Sequence, residues 1–147
     1  MAGLAKTFNG RVLNKSKEKI NLTDRKYQGK IFGLYFGASW CQPCRAFSSF
    51  LSEIYDEFHK EKRFQIIYVS ADADEQSYNQ YCQTMPWLAV DFRDHKLRDD
   101  LAMKYSVTDV PKLVLIDGDT GKTLCTNAKE QILYLDTEGV NFPWKSS

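Results

Sequence analysis

The sequence predicts an α/β domain of three layers, in which a mixed central sheet carries helices on both faces. Three observations favour this fold class. Apolar runs typical of buried strands recur along the chain, segments with helical spacing lie between them, and a tight turn joins the last two strands. Because strand–helix–strand units give parallel strands and a short turn gives an antiparallel pair, the sheet should contain both kinds of pairing.

The first elements of the chain are two weak strand signals and then a strong one. Residues 10–13 and 19–22 are modestly apolar and flank a polar turn, so we expect an N-terminal hairpin extension. Residues 31–36 are apolar without alternation. Such a run is typical of a central strand that is covered on both faces.

The segment after this strand has the clearest helical pattern in the chain. Apolar residues recur at spacings of three and four along 44–61, which places them on one face of a helix. A second buried strand is predicted at 64–70. An acidic helix start at 72–75 then leads into a helix that reaches residue 83.

The second half of the chain completes the sheet and covers it. Asp94 is the candidate N-cap of the helix there, because its short carboxylate precedes an apolar periodic segment. The aromatic tail at 141–144 is expected to pack back on the body. The remaining predicted elements are an extended piece at 90–92, a helix at 94–105, a strand at 112–117, a turn at 118–121, a return strand at 122–125 and a helix at 128–135.

The composition excludes several classes of partner. The 147 residues suffice for one domain, predicted to span 1–147, and the formal net charge is only +1. With charges so balanced, neither nucleic acid nor an acidic membrane surface is an expected partner. No apolar run is long enough to cross a membrane and no secretory signal is recognised, so we expect a location in the cytoplasm or the nucleus. We also expect a monomer.

Two thiols three residues apart are the strongest functional signal. The segment reads Trp40, Cys41, Gln42, Pro43, Cys44, Arg45. It follows a predicted strand and opens a predicted helix, where the helix dipole favours a thiolate and so lowers a cysteine's pKa. Cys41 is therefore the candidate nucleophile for disulfide exchange, and Cys44, one turn further in, is the candidate resolving thiol.

The residues around the thiols have supporting roles in this interpretation. Trp40 is expected to form an aromatic rim, and Arg45 adds a positive charge. Pro43 suits the first turn of a helix, where its missing N–H costs little. Gln42 stands between the thiols.

Two alternatives remain open for the cysteine pair, a half zinc site and a pair without function. A structural zinc ion needs two further ligands in local spacing, whereas Cys82 and Cys125 are isolated. We expect those two to be buried core thiols and predict no metal site. His59 and His95 are expected on solvated surfaces.

The dipeptide Val110-Pro111 directly before the third strand is the second signal. Proline cannot sit inside a central strand, but at the mouth of a strand a cis bond can form a tight turn. Beside the cysteine pair, that turn would offer the Val110 backbone to an extended peptide. The alternative is an ordinary trans strand entry; the cysteine pair favours the cis form.

These features together resemble the thioredoxin superfamily, and within it the tryparedoxin and nucleoredoxin branch. The segments that carry the resemblance are 3–6, 36–45, 69–72, 85–88, 110–111 and 141–144. The resemblance implies a thioredoxin-like fold, a redox disulfide between Cys41 and Cys44 in place of any cofactor, and Pro111 as the cis residue. It also implies protein disulfides as substrates, peroxidases among them, and a small dithiol or a reductase as electron donor.

The chain departs from the tryparedoxin pattern at several positions. Gln42 replaces a proline between the thiols, Ala71 replaces a tryptophan, and Lys112 stands where a small residue is common. Tyr35 lies where thioredoxins proper place a buried carboxylate. Asp72 is therefore the candidate proton acceptor for the resolving thiol.

The sequence thus favours one function and leaves a second open. The first is a cytosolic thiol–disulfide oxidoreductase that reduces protein disulfides. The second is a nucleoredoxin-like module, in which redox state controls binding to signalling partners and general reductase activity is weak. The sequence does not distinguish between trypanothione, glutathione and thioredoxin reductase as the electron donor.

Overall fold

The computed structural model of the chain describes residues 3–8 and 10–145. Its strands are β1 (Val12–Leu13), β2 (Ile31–Gly37), β3 (Phe64–Ser70), β4 (Leu88–Val90), β5 (Lys112–Asp117) and β6 (Thr123–Cys125). Its helices are α1 (Leu4–Phe8), α2 (Gln42–Glu61), α3 (Glu75–Cys82), α4 (His95–Lys104) and α5 (Ala128–Glu130), with a 3₁₀ turn at Arg25–Tyr27 and a π-helical turn at Gln131–Leu135. The ends of the predicted domain, 1–2 and 146–147, lie outside the described residues.

The strands form one mixed sheet in the order β1-β4-β3-β2-β5-β6. Strands β2, β3 and β4 are parallel, whereas β5 is antiparallel to β2 and β6 to β5, which confirms the predicted fold class. The last residues of β2 and β3, Gly37 and Ser70, are paired, and the first residue of β5, Lys112, pairs with Phe36. Three chain segments therefore leave or enter the sheet at one edge, where loops can assemble a site.

Helices cover both faces of the sheet. Alternate residues of β2 belong to different cores, since Tyr35 packs with α2 and α3, and Leu34 and Phe36 pack with α1 and α4. With both faces covered, β2 reads as a continuous apolar run rather than an alternating one.

The N-terminal prediction needs correction. Residues 19–22 form no second hairpin strand, because a turn built on the Asn14 side chain leaves only one bridge, between Leu13 and Lys19. Strand β1 instead joins the sheet edge, where Val12 pairs with Val90. Helix α1 was not predicted; it buries Leu4, Ala5 and Phe8 against the sheet.

Other boundaries also shift for local reasons. Helix α3 begins at Glu75, not at Asp72, because Asp74 supplies the N-cap and Asp72 bonds elsewhere. The extended piece predicted at 90–92 lies at 88–90 as β4. The helix predicted over 128–135 becomes α5 followed by the π-helical turn. Asp94 does N-cap α4, since its carboxylate accepts a hydrogen bond from Leu97 N.

The aromatic tail packs on the body as expected. The ring of Phe142 lies 5.2 Å from the rings of both Phe58 and Phe64, and Trp144 stacks edge-on against Phe142. Asp136 fixes this arrangement by accepting hydrogen bonds from Asn141 N and Trp144 Nε1. The tail thereby covers the last turns of α2.

Candidate active site at the Cys41–Cys44 disulfide

A cysteine caps the first turn of α2. The helix begins at Gln42, two residues earlier than predicted, and Cys41 is its N-cap. The Cys41 Sγ accepts a hydrogen bond from Cys44 N at 3.2 Å. Pro43 lies in the first turn, where its missing N–H leaves no bond unmade. A sulfur in this position is the acceptor for the unpaired N–H groups of the helix, so negative charge on it is favoured.

Cys41 and Cys44 form a disulfide, with their Cα atoms 5.2 Å apart. Cys41 is 6% exposed to solvent, whereas Cys44 is fully buried. A substrate sulfur can therefore approach Cys41 but not Cys44. Cys41, predicted as the nucleophile, is thus the more exposed cysteine of the pair.

The Val110–Pro111 loop faces the attacking cysteine. Its peptide bond is cis, as the sequence predicts. The Cys41 Sγ lies 3.7 Å from Val110 O, and Val110 is only half-buried. The loop reaches this position because Pro111 leads directly into β5, whose first residue pairs with the end of β2. Backbone groups of Val110 are thus available beside the disulfide.

The rim of the site is exposed. Trp40 is 66% exposed to solvent, and Gln42, Pro43 and Arg45 are also exposed. The Arg45 guanidinium donates to Ser39 O, so its charge is held over the loop that precedes the disulfide. A flat apolar ring beside a reactive sulfur is suited to contact with another protein.

Asp72 is buried behind the active-site loop. Its Oδ1 accepts hydrogen bonds from both Ser39 N and Ser39 Oγ, each at 2.9 Å. Its Oδ2 is buried and has no hydrogen-bond partner among the described residues. The structure therefore joins Asp72 to the cysteine loop through Ser39.

A buried arginine on α4 holds this arrangement and was missed in the sequence. The Arg98 guanidinium donates to Ser70 O at 2.9 Å and to Asp72 O at 3.3 Å, and it lies 4.4 Å above the Phe92 ring. The helical spacing of α4 could have indicated that Arg98 is buried, because Arg98 falls on the same face of the helix as Leu101.

A chain of buried hydroxyl groups lies beneath Cys44. Tyr35 donates to Cys44 O at 2.9 Å and contacts Ser48 Oγ at 2.6 Å, and Ser48 contacts Tyr81 Oη at 2.7 Å. Burial raises the pKa of Tyr35 well above its ordinary value, so its hydroxyl stays protonated and able to donate. The tyrosine at this position therefore fixes the first turn of α2.

A cleft of about 660 Å³ opens beside the disulfide, on the side of α4. The residues that line it are Phe36, Trp40, Val69, Ser70, Ala71, Asp72, Arg98, Asp99, Ala102, Val107, Thr108, Asp109 and Val110. It extends from the rim at Trp40 and Val110 to the buried Asp72. Ala71, the position where the tryparedoxin pattern has a large ring, lines this cleft.

The other cysteines and histidines lie apart from the site. Cys82 is half-buried, which differs from the predicted full burial, and Cys125 is buried. Burial raises the pKa of Cys82 to about 11 and also raises that of Cys125, so both stay protonated at neutral pH. His59 is half-buried and stacks on Tyr55 rather than being solvated, and His95 is exposed.

The described residues show neither a cluster of metal ligands nor a membrane-spanning helix. Within 3–8 and 10–145, no group of three or more His, Cys, Asp or Glu side chains could hold a metal ion. No helix in that part of the chain has the length and apolar character needed to span a membrane.

Thiol–disulfide exchange is the chemistry that this geometry supports, because an accessible sulfur caps a helix and a second sulfur can attack it. Comparison with known proteins agrees. A family model described as thioredoxin-like matches residues 29–123. The tryparedoxin of Trypanosoma brucei brucei is 38% identical over 146 residues, which cover 98% of this chain and 99% of that protein.

Two further relatives extend the comparison. A nucleoredoxin of Danio rerio is 34% identical over 146 residues; these cover 96% of this chain but only 34% of that longer protein. The solved structure of tryparedoxin II complexed with glutathionylspermidine matches with a TM-score of 0.92 at 33% identity, covering 99% of this chain and 100% of that one.

The chain belongs to the thioredoxin-like family, which works through a cysteine redox centre without a prosthetic cofactor. It is a thiol–disulfide oxidoreductase with a Cys41/Cys44 dithiol.

Proposed function

We propose that this oxidoreductase reduces disulfides of partner proteins, with Cys41 as the attacking thiolate and Cys44 as the resolving thiol. The observation that carries the proposal is the position of Cys41, which is the accessible cysteine and accepts the Cys44 N–H at the start of α2. The dipole of α2 lowers the pKa of a cysteine held there, and a thiolate is the reactive form.

The reaction proceeds in two exchange steps. The Cys41 thiolate attacks one sulfur of the substrate disulfide, and the first substrate thiolate leaves and takes up a proton. The Cys44 thiolate then attacks Cys41 Sγ, which breaks the mixed disulfide and releases the second substrate thiolate. Two electrons pass to the substrate, and the chain is left with its Cys41–Cys44 disulfide.

Substrate binding is assigned to the rim around Cys41. An extended peptide can pair with the backbone of Val110, because this residue lies beside the nucleophile and Pro111 keeps β5 from continuing past it. Trp40 offers an exposed ring to the substrate, and Gln42 and Pro43 form the rest of the contact surface. Arg45 stiffens the loop through Ser39.

Asp72 is proposed to accept the proton that leaves Cys44 before the second step. The Oδ2 atom supports this role, because it is buried and accepts no hydrogen bond among the described residues. Such an oxygen can take up a proton from a neighbouring thiol. The Ser39 bonds to Oδ1 keep the carboxylate oriented toward the cysteine loop.

The electron donor is proposed to be a low-molecular-weight thiol or dithiol of the glutathionylspermidine type. The support is the relative whose solved structure contains glutathionylspermidine. Protein disulfides, including those of peroxidases, are the proposed acceptors. We further propose a monomer in the cytoplasm or nucleus, where reducing conditions regenerate the dithiol.

Reduction of insulin by dithiothreitol tests the proposed activity. The wild-type chain should accelerate the reaction, Cys41→Ser should add no rate, and the control Cys82→Ser should retain the wild-type rate. If the wild type adds no rate, the reductase proposal fails and the interaction-module alternative gains support. A comparison of trypanothione, glutathione and thioredoxin reductase as electron sources tests the donor, and a preference for thioredoxin reductase would overturn that assignment.

A further inference from the structure

The cleft on the α4 side of the disulfide lies where a substrate residue next to the attacked cysteine would lie. Its mouth includes Trp40 and Val110, and Val110 O is 3.7 Å from the Cys41 sulfur. At about 660 Å³, it is large enough for one long side chain and part of its backbone. Apart from Asp72 at its inner end and Trp40 and Val110 at its mouth, no residue of the cleft has a role in the proposed exchange reaction.

The charges along this cleft are predominantly negative. Asp99 and Asp109 line it, are exposed, and make no ion pair among the described residues. Asp72 lines its inner end, is 3% exposed, and has an Oδ2 without a hydrogen-bond partner in the described part of the chain. A cation at the rim of the cleft would meet two exposed carboxylates, and a third, buried one lies at the inner end.

The one basic residue in the cleft is turned inward. Arg98 donates to Ser70 O and Asp72 O, and its other terminal nitrogen contacts His95 Nδ1. Both terminal nitrogens are therefore occupied by the protein itself, and the remaining donor, Nε, is buried. Its charge reduces the negative potential at the inner end but leaves the two rim carboxylates without a partner.

Much of the remaining lining is apolar and suits an aliphatic stem. Phe36, Val69, Ala102 and Val107 contribute it, and Trp40 adds an exposed aromatic ring at the mouth. Lysine and arginine combine a flexible apolar stem with a cationic end, and both bind favourably against an aromatic face.

We propose that this cleft binds a lysine or arginine side chain adjacent to the disulfide cysteine of a partner protein. The inference rests on the proposed reduction of protein disulfides and adds its specificity: disulfides flanked by basic residues are the preferred substrates. The cation lies between Asp99 and Asp109, its stem lies along the apolar lining, and the neighbouring cysteine faces Cys41.

Peptide dimers joined by a single disulfide test the preference directly. Three dimers would be identical except that both residues flanking the cysteine are lysine, norleucine or glutamate. The reduced chain is mixed with each dimer without an electron donor, and the single-turnover rate is followed by chromatography of quenched samples. The lysine dimer should react about fivefold faster than the norleucine dimer, the effect of one or two exposed ion pairs, and the glutamate dimer should be slowest.

Matched variants assign the preference to the cleft. In Asp99→Asn/Asp109→Asn the ratio of lysine to norleucine rates should fall close to one. The control Asp56→Asn/Glu57→Gln changes net charge equally, at exposed positions of α2 roughly 20 Å along the helix from Cys41. It should keep the wild-type ratio.

The outcomes separate this proposal from the reductase activity on which it rests. If all three dimers react at one rate, or if the control double variant loses the preference as well, the cleft is not a cation site although the reductase activity stands. If no dimer is reduced, the proposed reductase function itself fails. Free spermidine should slow the lysine dimer more than the norleucine dimer, because it competes for the cation site. Equal slowing of both dimers would show that spermidine does not compete with the lysine side chain, and would overturn the assignment.

Discussion

The two ends of helix α2 are built in opposite ways. At its first turn a cysteine sulfur is the N-cap, and the surrounding side chains, such as Trp40, are exposed. At its last turn Phe58 is buried under Phe142, and Lys62 lies over both rings. One end leaves its backbone N–H groups available to a thiolate, and the other is closed by an aromatic tail.

The difference shows how one helix can serve reactivity and stability at once. A cap that stabilises a thiolate must stay accessible to substrate, so it contributes little buried apolar surface. The far end of α2 and its buried middle supply that surface instead, through Phe58 and the residues that pack on Phe64. Changes at the first turn should therefore alter chemistry with little effect on unfolding, and changes at the last turn should do the reverse.

The largest expected effect is at the first turn. In Cys44→Ser, the mixed disulfide on Cys41 cannot be resolved, so turnover should fall about a thousandfold, equivalent to about 4 kcal/mol. A covalent adduct with a disulfide peptide should accumulate and be visible by mass spectrometry. The roles would be reversed if Cys41→Ser formed an adduct on Cys44 as fast as Cys44→Ser is expected to form one on Cys41.

The next effect concerns Asp72, behind the first turn. In Asp72→Asn, an amide oxygen can keep the bonds from Ser39, but the side chain no longer accepts a proton. Resolution of the mixed disulfide at neutral pH should slow about a hundredfold. At alkaline pH, where Cys44 loses its proton to water, wild type and variant should converge.

A uniform loss across pH would mean that Asp72 acts only by positioning Ser39. The control Asp56→Asn removes an exposed carboxylate from α2 and should leave the resolution rate unchanged.

At the last turn, Phe142→Ala should lower stability rather than activity. The half-buried ring contacts Phe58 and Phe64, and its loss leaves a gap over the end of α2. We expect the free energy of unfolding in urea to fall by about 2 kcal/mol, below the range for a fully buried ring. The exposed Met103, changed to alanine, is the control and should alter stability little.

The rate of peptide-disulfide reduction by Phe142→Ala should equal that of the wild type under native conditions. A large loss of rate would mean that the two ends of α2 are coupled.

The smallest effect is the pH dependence of the tail. Hydrogen bonds from Asn141 N and Trp144 Nε1 hold the pKa of Asp136 below its usual value. A lowered folded-state pKa stabilises the tail above the unfolded value of about 3.9 and loses that contribution as the pH falls through the folded value. Tryptophan fluorescence should therefore report loosening of the tail below about pH 4, and Asp136→Ala should remove this transition.

Sequence reasoning reached the parts of the site that depend on neighbouring residues in the chain. Cys41 and Cys44 follow from a strand that leads into a helix, and the Val110–Pro111 turn follows from proline at a strand entry. The buried strands were found because a sheet covered on both faces leaves continuous apolar runs.

The parts that were missed depend on residues far apart in the chain. Arg98 reaches Asp72 only because α4 packs beside the end of β3, and the hydroxyl chain joins Tyr35 to Ser48 and Tyr81 across two elements. The hairpin strand at 19–22 was wrongly predicted. Its expected partner, β1, is an edge strand of two residues, and so few side chains do not indicate which strand it pairs with.

The central claim is that the first turn of α2 makes Cys41 a thiolate. Its most direct test is the pH dependence of Cys41 alkylation by iodoacetamide in reduced Cys44→Ser, which retains the backbone N–H that donates to the sulfur. Because Cys82 has a pKa of about 11, its thiol reacts slowly at neutral pH, and peptide mapping separates the two. A Cys41 pKa at least one unit below the free value of about 8.5 is the expected result. A pKa at or above that value would contradict the claim.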